Sequence, residues 1–155
     1  MDLKNTSLMM NLEACYILDG EQAQWPKGYE CTGWRLPSEA EWEAAVSGQN
    51  MLKVETIAWI STNSLGKTWP VASKQPDARG LYDMFGNVRE WVWDGYEYYA
   101  NKDVKDPIVE ASVRVGRGGF FGSDLQGIRP SSRIGNAPTS QENHFGFRLA
   151  RTLGK

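Results

Sequence analysis

The chain has little of several features that would narrow its chemistry. It has two cysteines, one histidine and a net charge of −2, with a pI near 5.5. No apolar run approaches the roughly 18 residues that cross a membrane, and the charge gives no basic surface for nucleic acid. Met1-Asp2-Leu3-Lys4 lacks the apolar segment of a signal peptide. We therefore expect no membrane span, no nucleic-acid partner and no signal peptide in this chain.

The scarce cysteines and histidine also limit catalysis. Cys15 and Cys31 are too few for a disulfide framework, and sequence alone does not pair them. We expect free, partly buried thiols, the alternative being a disulfide between the two. His144 has no nearby Cys or carboxylate pattern that would build a transition-metal site with it, and we expect it at the surface. The segment 116–119 is Gly-rich, but no Lys-Ser/Thr pair or helix start follows it as in a phosphate loop. No catalytic arrangement is indicated.

Glycine and tryptophan are abundant instead, with 16 Gly and 7 Trp among 155 residues. This mixture favours an irregular, loop-rich fold held by large aromatic side chains over a helical bundle. The length and the absence of a repeat or linker predict a single domain over 1–155. We expect its core to contain Trp34, Trp42, Trp59, Trp91, Trp93 and Phe147.

Local patterns predict few regular elements. Ser38 and Glu41 form a capping box, which begins a helix that ends near Val46. A second short helix is predicted over 8–18. Strands are predicted over 57–60, 90–94, 113–117 and 147–151.

One segment offers hard oxygen ligands. Two carboxylates and two backbone carbonyls on a glycine turn supply the oxygens that Ca²⁺ prefers. The site would consist of Asp83, Gly86, Val88 and Glu90. The alternative, which spacing alone favours, is that Asp83 and Glu90 cap turns or pair with Arg79 or Arg89.

The last third of the chain combines a regular frame with irregular positions. Val113 to Gly119, Arg129, Arg133 and the segment 145–151 form the frame. The enclosed positions follow neither the period of a strand nor that of a helix. We call them the nominated positions: Phe120, Phe121, Gly122, Ser123, Asp124, Leu125, Gly127, Ile134, Gly135, Asn136, Ser140, Asn143 and His144. A frame that holds an arbitrary-looking surface favours recognition over catalysis.

Three segments together resemble one family, the formylglycine-generating-enzyme-like (FGE-sulfatase) domains. Residues 33–43 resemble the signature G-[YW]-R-L-P-[TS]-E-A-E-W-E, and residues 80–91 resemble G-L-Y-D-M-x-G-N-V-x-E-W. Residues 117–119 and 146–149 resemble the closing R-G-G … G-F-R-L. The resemblance covers roughly residues 8–151. It implies an α+β, C-type-lectin-like fold of the FGE-sulfatase variant, with small twisted antiparallel sheets, two helices and much irregular loop.

The resemblance also bears on activity and cofactors. The family's enzymes oxidise a sulfatase cysteine with a pair of cysteines, at positions that hold Ser123 and Ile128 in this chain. Without thiolates there is neither a copper site nor a redox pair, so we expect no enzyme and no required cofactor. The segment like 80–91 binds Ca²⁺ in the family's enzymes, and this resemblance raises the expectation of Ca²⁺ here.

One branch of the family fits better, the variable proteins of diversity-generating retroelements. In them an Asn-rich template is mutated at adenines, which yields Phe, Ser, Leu, His, Ile, Asn, Asp or Gly, but not Glu, Gln, Lys, Met or Trp. All nominated positions hold permitted types, whereas Gln126, Gln141 and Glu142 do not and are interpreted as fixed. The resemblance thus implies that 114–148 is a variable ligand-binding region.

We therefore predict a non-catalytic receptor-recognition protein that presents a diversified surface on a C-type-lectin scaffold. Its partner would be a protein ligand or cell-surface receptor, and we expect it on a virion or cell surface, as a homo-oligomer or attached to a larger assembly. Arg129, Arg133 and Arg148 would tie loops to carboxylates or carbonyls. Exposed Phe120 and Phe121 would act as apolar anchors, the alternative being burial in the core.

Three other functions stay open. The first is an ordinary FGE-sulfatase-like domain without diversification. The second is a formylglycine-generating oxidoreductase, against which the missing thiols argue. The third is an assembly module whose terminal segment packs against a partner subunit.

Overall fold

Regular structure occupies a small part of the residues that the computed structural model describes, which are 10–20, 22–98, 105 and 107–154. These residues belong to two units, one formed by Met1–Pro37 with Arg148–Lys155 and one by Ser38–Phe147. The single domain therefore stays a prediction. None of the helices found in the described part of the chain has the length and apolarity that a bilayer crossing requires.

The first unit contains a small hairpin. Strand β1 (Ile17–Asp19) pairs antiparallel with β2 (Gln22–Gln24), and Gly20 turns the chain with φ of +59°. A 3-10 helix follows at Gly28–Glu30. The helix predicted over 8–18 is wrong for its described part, because residues 10–16 contain a turn and irregular chain and Ile17 already belongs to β1. Gly33 lies so close to Glu13 that a Cβ on it would be 1.9 Å from the Glu13 carbonyl oxygen.

The expectation of free thiols is also wrong, since Cys15 and Cys31 form a disulfide and both are buried. Polar contacts on either side bring the two segments together. The Glu13 carboxylate accepts hydrogen bonds from the Thr32 N–H at 2.7 Å and from Lys27 Nζ at 2.6 Å. Sequence spacing carried no sign of these contacts, which are made between residues far apart in the chain.

We predict that this disulfide contributes substantially to stability. The cysteines are separated by 16 positions, and closing a loop of that length stabilises a protein by about 3 kcal/mol. Denaturant unfolding of a variant with both Cys15→Ser and Cys31→Ser, compared with the oxidised and the reduced parent, measures the effect. A double variant as stable as the oxidised parent would contradict the prediction.

The second unit begins with helix α1 (Glu39–Val46), and the predicted capping box is confirmed. The Glu41 N–H donates to Ser38 Oγ at 3.2 Å, and the Ser38 N–H donates to Glu41 Oε2 at 2.9 Å. The helix buries Trp42 and Val46. A 3-10 helix follows at Met51–Thr56.

A four-stranded sheet forms the rest of the regular structure. Its strands are β3 (Arg89–Gly95), β4 (Arg114–Arg117), β5 (Arg133–Asn136) and β6 (Phe145–Phe147), in the order β5-β4-β3-β6. Strand β4 is antiparallel to β3 and β5, as expected, but β6 is parallel to β3. The direction changes because the chain passes from one edge of the sheet to the other through 137–144, instead of turning back in a hairpin.

The two faces of this sheet differ because successive side chains point to opposite sides. The inner face contains Glu90, Val92, Val115 and Arg117, all buried. Its apolar members belong to the core cluster of Trp42, Val46, Val54, Ala58, Ile60, Met84, Phe85, Val92, Val115 and Ile128. The register places Phe147, Trp91, Gly116 and Ile134 in one row on the outer face.

Several sequence-based assignments change accordingly. The stretch 57–60 is not a strand, since Trp59 makes one isolated bridge with Gly86. Strand β5 was not predicted, and the last strand lies at Phe145–Phe147 rather than over 147–151. Trp42 and Trp93 are buried as expected. Trp34, Trp59 and Trp91 are half-buried. The prediction that Phe147 belongs to the core is wrong, because its side chain lies on the outer face and is 44% exposed.

A buried ionic cluster joins α1 to the sheet and to the loop before β5. Arg117, fully buried, donates to Glu43 Oε2 at 2.9 Å and lies 3.5 Å from Glu39 Oε1. It also donates to the carbonyls of Pro130 at 2.7 Å and Ser132 at 2.9 Å. Its guanidinium lies 4.9 Å from the Trp42 ring centroid.

Arg133 extends this cluster at the start of β5. Its Nε and Nη2 donate to the two oxygens of Glu39 at 2.7 and 2.6 Å, and its Nη1 donates to the Glu97 carbonyl at 2.7 Å. The prediction that these arginines bind loops to carboxylates or carbonyls is thus confirmed for Arg133. It is wrong for Arg129, which is exposed and whose side chain has no hydrogen bond to the described residues. For Arg148, which is half-buried, it stays a prediction.

We predict that Arg117→Ala lowers the free energy of unfolding by about 3–5 kcal/mol, because it breaks a buried ion pair and leaves the Pro130 and Ser132 carbonyls without their donor. Arg129→Ala is the matched control and should change it by less than about 0.5 kcal/mol, as at ordinary surface positions. Urea denaturation of both variants measures the difference. Equal effects of the two substitutions would contradict the structural role of Arg117.

Candidate functional site

The outer face of the four-stranded sheet is aromatic at its centre. Gly116 lies in the middle of this face, where a Cβ would be 2.6 Å from the Phe145 ring and 3.1 Å from Ile134 Cγ2. These two side chains therefore meet over the glycine. Phe145 also stacks on Trp91, with ring centroids 4.3 Å apart. The absence of a side chain at Gly116 lets large residues from neighbouring strands cover the sheet.

A continuous series of rings extends from this centre, and we call it the aromatic row: Phe121, Phe120, His144, Phe145 and Trp91. The successive centroid distances are 5.2, 4.7, 5.3 and 4.3 Å. All of these side chains are half-buried. Neither phenylalanine of the pair 120–121 belongs to the core cluster, so the expectation of partly exposed anchors fits them better than burial in the core.

Backbone hydrogen bonds hold the row in place. The Phe121 N–H donates to the Asn87 carbonyl at 2.9 Å, and the Arg89 N–H donates to the His144 carbonyl at 2.8 Å. Ser64 Oγ donates to the Phe121 carbonyl at 2.8 Å. Because the positions are fixed through the main chain, the side chains of Phe120, Phe121 and His144 are free to differ without a change in these bonds.

Glu142 organises three nominated side chains beside the row. Its Oε1 accepts from Asn136 Nδ2 at 2.5 Å, and its Oε2 lies 2.9 Å from His144 Nε2. Asn136 Oδ1 in turn accepts from Ser140 Oγ at 2.9 Å. The sequence predicts that Glu142 is a fixed residue. Its position agrees with a structural role, since its one carboxylate orients side chains on β5 and in the segment 137–144.

A cleft of about 160 Å³ opens between the row and the loop before β5. It is lined by Arg89, Gly116, Gly119, Gly127, Ser132, Arg133 and Ile134. The Arg89 guanidinium lies 4.5 Å from the Phe120 ring centroid. Burial lowers the pKa of Arg89, and the nearby charge of Glu142 acts in the opposite direction. Sequence reasoning assigned Arg89 only a possible pairing with a carboxylate and missed its position in this cleft.

The turn 123–127 forms a second region. Asp124 Oδ1 accepts from the Gln126 and Gly127 N–H groups at 3.0 and 2.8 Å, which fixes the turn. Leu125 is 56% exposed. Leu125 lines a groove of about 360 Å³ together with Met51, Leu52, Val54, Gln126 and Arg129. No member of the aromatic row lines this groove, so the nominated positions divide between the outer face and this turn.

The nominated positions also differ in exposure. Gly122, Asp124, Leu125 and Asn143 are exposed, and Phe120, Phe121, Gly127, Ile134, Gly135, Asn136, Ser140 and His144 are half-buried. Ser123 is buried, with 6% of its surface exposed, and its Oγ accepts a hydrogen bond from the Phe120 N–H at 3.1 Å. Gly135 faces Val113 and Tyr96, which a Cβ would approach within 2.7 and 2.8 Å. Ser123 and Gly135 therefore offer no side chain to a ligand in this conformation.

The two positions that match the catalytic cysteines of the family lie inside the protein. Ile128 is fully buried in the core cluster, and Ser123 is enclosed in its turn. Both cysteines of the chain, Cys15 and Cys31, are joined to each other. Neither of the two positions at which the resemblance places the family's cysteines holds a thiol in this chain.

The predicted calcium ligands fit a cation only in part. Glu90 is buried, and its Oε2 accepts from the Trp42 indole N–H at 2.9 Å, so this oxygen is already engaged in the core. Asp83 Oδ2 accepts from the Ala72 N–H at 2.7 Å, whereas Asp83 Oδ1 is buried without a hydrogen-bond partner. Within the described residues no three His, Cys, Asp or Glu side chains converge as a metal cluster. Calcium stays a prediction, centred on Asp83 Oδ1 with the Gly86 and Val88 carbonyls.

We predict that a calcium chelator lowers the melting temperature of the parent, because an ion bound to the folded state stabilises it by mass action. Asp83→Asn should abolish this chelator-dependent shift. Glu90→Gln should retain it, since Glu90 is engaged with Trp42. Calorimetry of the three proteins with and without chelator measures the shift. An unchanged melting temperature of the parent on addition of chelator would contradict the predicted calcium site.

Comparison with known proteins agrees with the geometry. The family model described as "Sulfatase-modifying factor enzyme 1-like domain" matches residues 13–153. The solved structure of Treponema denticola variable protein 1 is similar, with a TM-score of 0.86 and 30% identity, over 97% of this chain and 66% of that chain. The expected C-type-lectin-like, FGE-sulfatase fold and the resemblance to variable proteins are thereby confirmed.

Curated relatives are longer than this chain. The serine/threonine-protein kinase Pkn1 of Chlamydia trachomatis is 36% identical over an alignment of 137 residues, and the match covers 81% of this chain and 22% of the kinase. The formylglycine-generating enzyme of Streptomyces coelicolor is 32% identical over an alignment of 148 residues, and the match covers 76% of this chain and 46% of the enzyme. The chain thus spans between about a fifth and a half of these relatives.

Proposed function

Because this chain belongs to the family of sulfatase-modifying factor enzyme 1-like domains, we propose that it uses the family scaffold to bind a protein ligand and not to oxidise a cysteine. The observation that carries the proposal is the aromatic row on the outer face of the sheet. Five half-buried rings lie there in contact, and two of them, Trp91 and Phe145, are on strands of the sheet whose inner face packs on the core. Clustered aromatic side chains are typical of interface centres.

The scaffold supports a binding role because it fixes the loops before a ligand arrives. The Arg117 and Arg133 cluster holds the segment 130–133, and main-chain bonds hold Phe121 and His144. A preorganised surface loses little entropy on binding, so affinity depends on the side chains it presents. Diversification then changes the ligand without refolding, as in antibody loops.

The chemistry of the face favours a protein ligand. The rings of Phe120, Phe145 and Trp91 give an apolar centre, and Asn136 and Asn143 supply adaptable polar groups beside it. His144 adds a polar group within the row. This combination of aromatic centre and polar rim is that of protein interfaces. We revise the ligand-contacting set by leaving out Ser123 and Gly135, and we keep Asp124, Leu125 and Gly127 as a flanking group.

Two further observations support a non-catalytic protein at a surface. Ser123 and Ile128 stand where the family's enzymes have cysteines, and neither has a thiol. The Cys15–Cys31 disulfide is typical of oxidising environments outside the cytosol. Attachment to a larger assembly and a virion or cell-surface location are parts of the same proposal.

We predict that the outer face tolerates diversification. In a displayed library, Phe120, Phe121, Ile134, Asn136, Asn143 and His144 are replaced by the residue types that adenine mutation of an Asn codon allows. A matched control library randomises Trp42, Phe85, Val92, Val115, Arg117 and Ile128 in the same way. Most clones of the first library should resist protease as the parent does, and few clones of the second should, because core substitutions commonly cost about 2–5 kcal/mol.

The same library tests binding. Selection against a purified protein target should yield clones whose binding is lost when the outer-face residues are reverted, while protease resistance is kept. A first library as protease-sensitive as the control would contradict the proposal. So would binders whose affinity survives reversion of every outer-face residue. Turnover of a cysteine-containing sulfatase peptide by the parent would instead establish the oxidoreductase alternative.

A further inference from the structure

We infer that the cleft beside the aromatic row is a carboxylate subsite, in which the Arg89 guanidinium binds an Asp or Glu side chain of a protein ligand. The inference rests on the proposed function, since the ligand is the one bound at the outer face. It adds a contact of known chemistry, at a residue outside the nominated positions, to a surface that contains many of those positions.

The first observation is that Arg89 has donors without an acceptor. Its backbone N–H donates to the His144 carbonyl, but its guanidinium has no hydrogen-bond partner among the described residues. The contact of that group is the Phe120 ring, 4.5 Å away. Arg89 is half-buried, and burial lowers its pKa. A guanidinium carries five N–H donors. Here these donors have lost part of their hydration and have no hydrogen-bond acceptor among the described residues.

The second observation is the charge of the cleft. Two arginines line it and no carboxylate does. Arg133 is already satisfied, because its nitrogens donate to both Glu39 oxygens and to the Glu97 carbonyl. Glu142 acts on Arg89 from nearby, but its oxygens are engaged with Asn136 and His144. Arg89 is therefore the cleft-lining cation with N–H groups available to an incoming anion.

The third observation identifies the anion. A carboxylate accepts two parallel hydrogen bonds from the guanidinium edge, the geometry that arginine is suited to. Three of the other lining residues are glycines, and Ser132 Oγ already donates to the Gln126 carbonyl. A sugar acid would need several polar groups for its hydroxyls, which this lining does not offer. A single acidic side chain, presented by a protein, needs only Arg89 and an apolar wall.

Arg89 also lies outside the variable region. It stands on β3, whereas its neighbours Phe120, Gly127 and Ile134 are nominated positions. The subsite is thus constant while its walls change. Ligands selected by different variants of this protein should therefore share an exposed acidic residue at the centre of their interfaces.

The test is an NMR titration of the intact chain with N-acetyl-glutamate methylamide, whose one charge is the side-chain carboxylate. The matched neutral probe is N-acetyl-glutamine methylamide. We expect saturable shifts of the Gly119, Gly127 and Ile134 amides with the acidic probe, at millimolar concentration, and at least roughly tenfold weaker binding of the neutral one. Arg89→Gln should abolish the difference between the probes. Arg89→Lys should weaken acidic-probe binding by several-fold, because lysine keeps the positive charge but cannot donate two parallel hydrogen bonds to one carboxylate.

Arg129→Gln is the control variant, since Arg129 is exposed, lacks a side-chain hydrogen bond to the described residues and lies outside the cleft. It should bind the acidic probe as the parent does. Equal binding of both probes, or retention of the preference in a folded Arg89→Gln variant, would overturn the inference. Tenfold tighter binding of N-acetylneuraminic acid than of the acidic probe would overturn the assignment to a protein ligand.

The outcome is separable from that of the proposed function. If displayed binders arise equally from the parent and from an Arg89→Gln scaffold, the subsite is wrong and the diversified face stands. If the parent scaffold gives no binders but the titration succeeds, the proposed function is wrong and the carboxylate subsite stands.

Discussion

The buried ion cluster of Glu39, Arg117 and Arg133 is the interaction on which the rest of the described structure depends. It joins the first turn of α1 to β4, β5 and the loop between them. Buried charges are costly unless paired and hydrogen-bonded. The Nη atoms of Arg117 donate to Glu43 and to two carbonyls, and its Nε lies 3.5 Å from Glu39 as an ion pair without a hydrogen bond. The irregular loop between β4 and β5 is thereby held at Pro130 and Ser132 by polar contacts, in addition to the burial of Ile128 in the core.

In the proposed function, this arrangement would separate stability from recognition within the same strands. On β3 and β4 the side chains of Val92, Val115 and Arg117 point inward, toward α1 and the core. On the outer face, Trp91 is part of the aromatic row, and Gly116 leaves space for the Phe145 ring. Because side chains alternate, a replacement on one face leaves the other unchanged. A surface that is to be varied extensively needs this separation, since otherwise each new ligand contact would alter the fold.

The sequence predicted the features that depend on local signals. The capping box at Ser38 and Glu41 and the strand containing Trp91 and Trp93 have short-range patterns, and the family resemblance supplied the fold. The Cys15–Cys31 bond, strand β5 and the parallel strand β6 depend on contacts between distant segments, which carry no local pattern. Arg89 was missed as a site residue for the same reason. Its lack of an acceptor becomes visible only once the cleft around it is formed.

The central claim is that the frame of this protein is fixed while its outer face is free to vary. Arg133 and Ile134 test it most directly, because they are neighbours on β5 with side chains on opposite faces. The measurement is the free energy of unfolding of Arg133→Ser and Ile134→Ser against the parent. The account predicts that Arg133→Ser costs at least about 2 kcal/mol more than Ile134→Ser, because it leaves the buried Glu39 short of its bidentate partner. Equal costs, or a larger cost at Ile134, would contradict it.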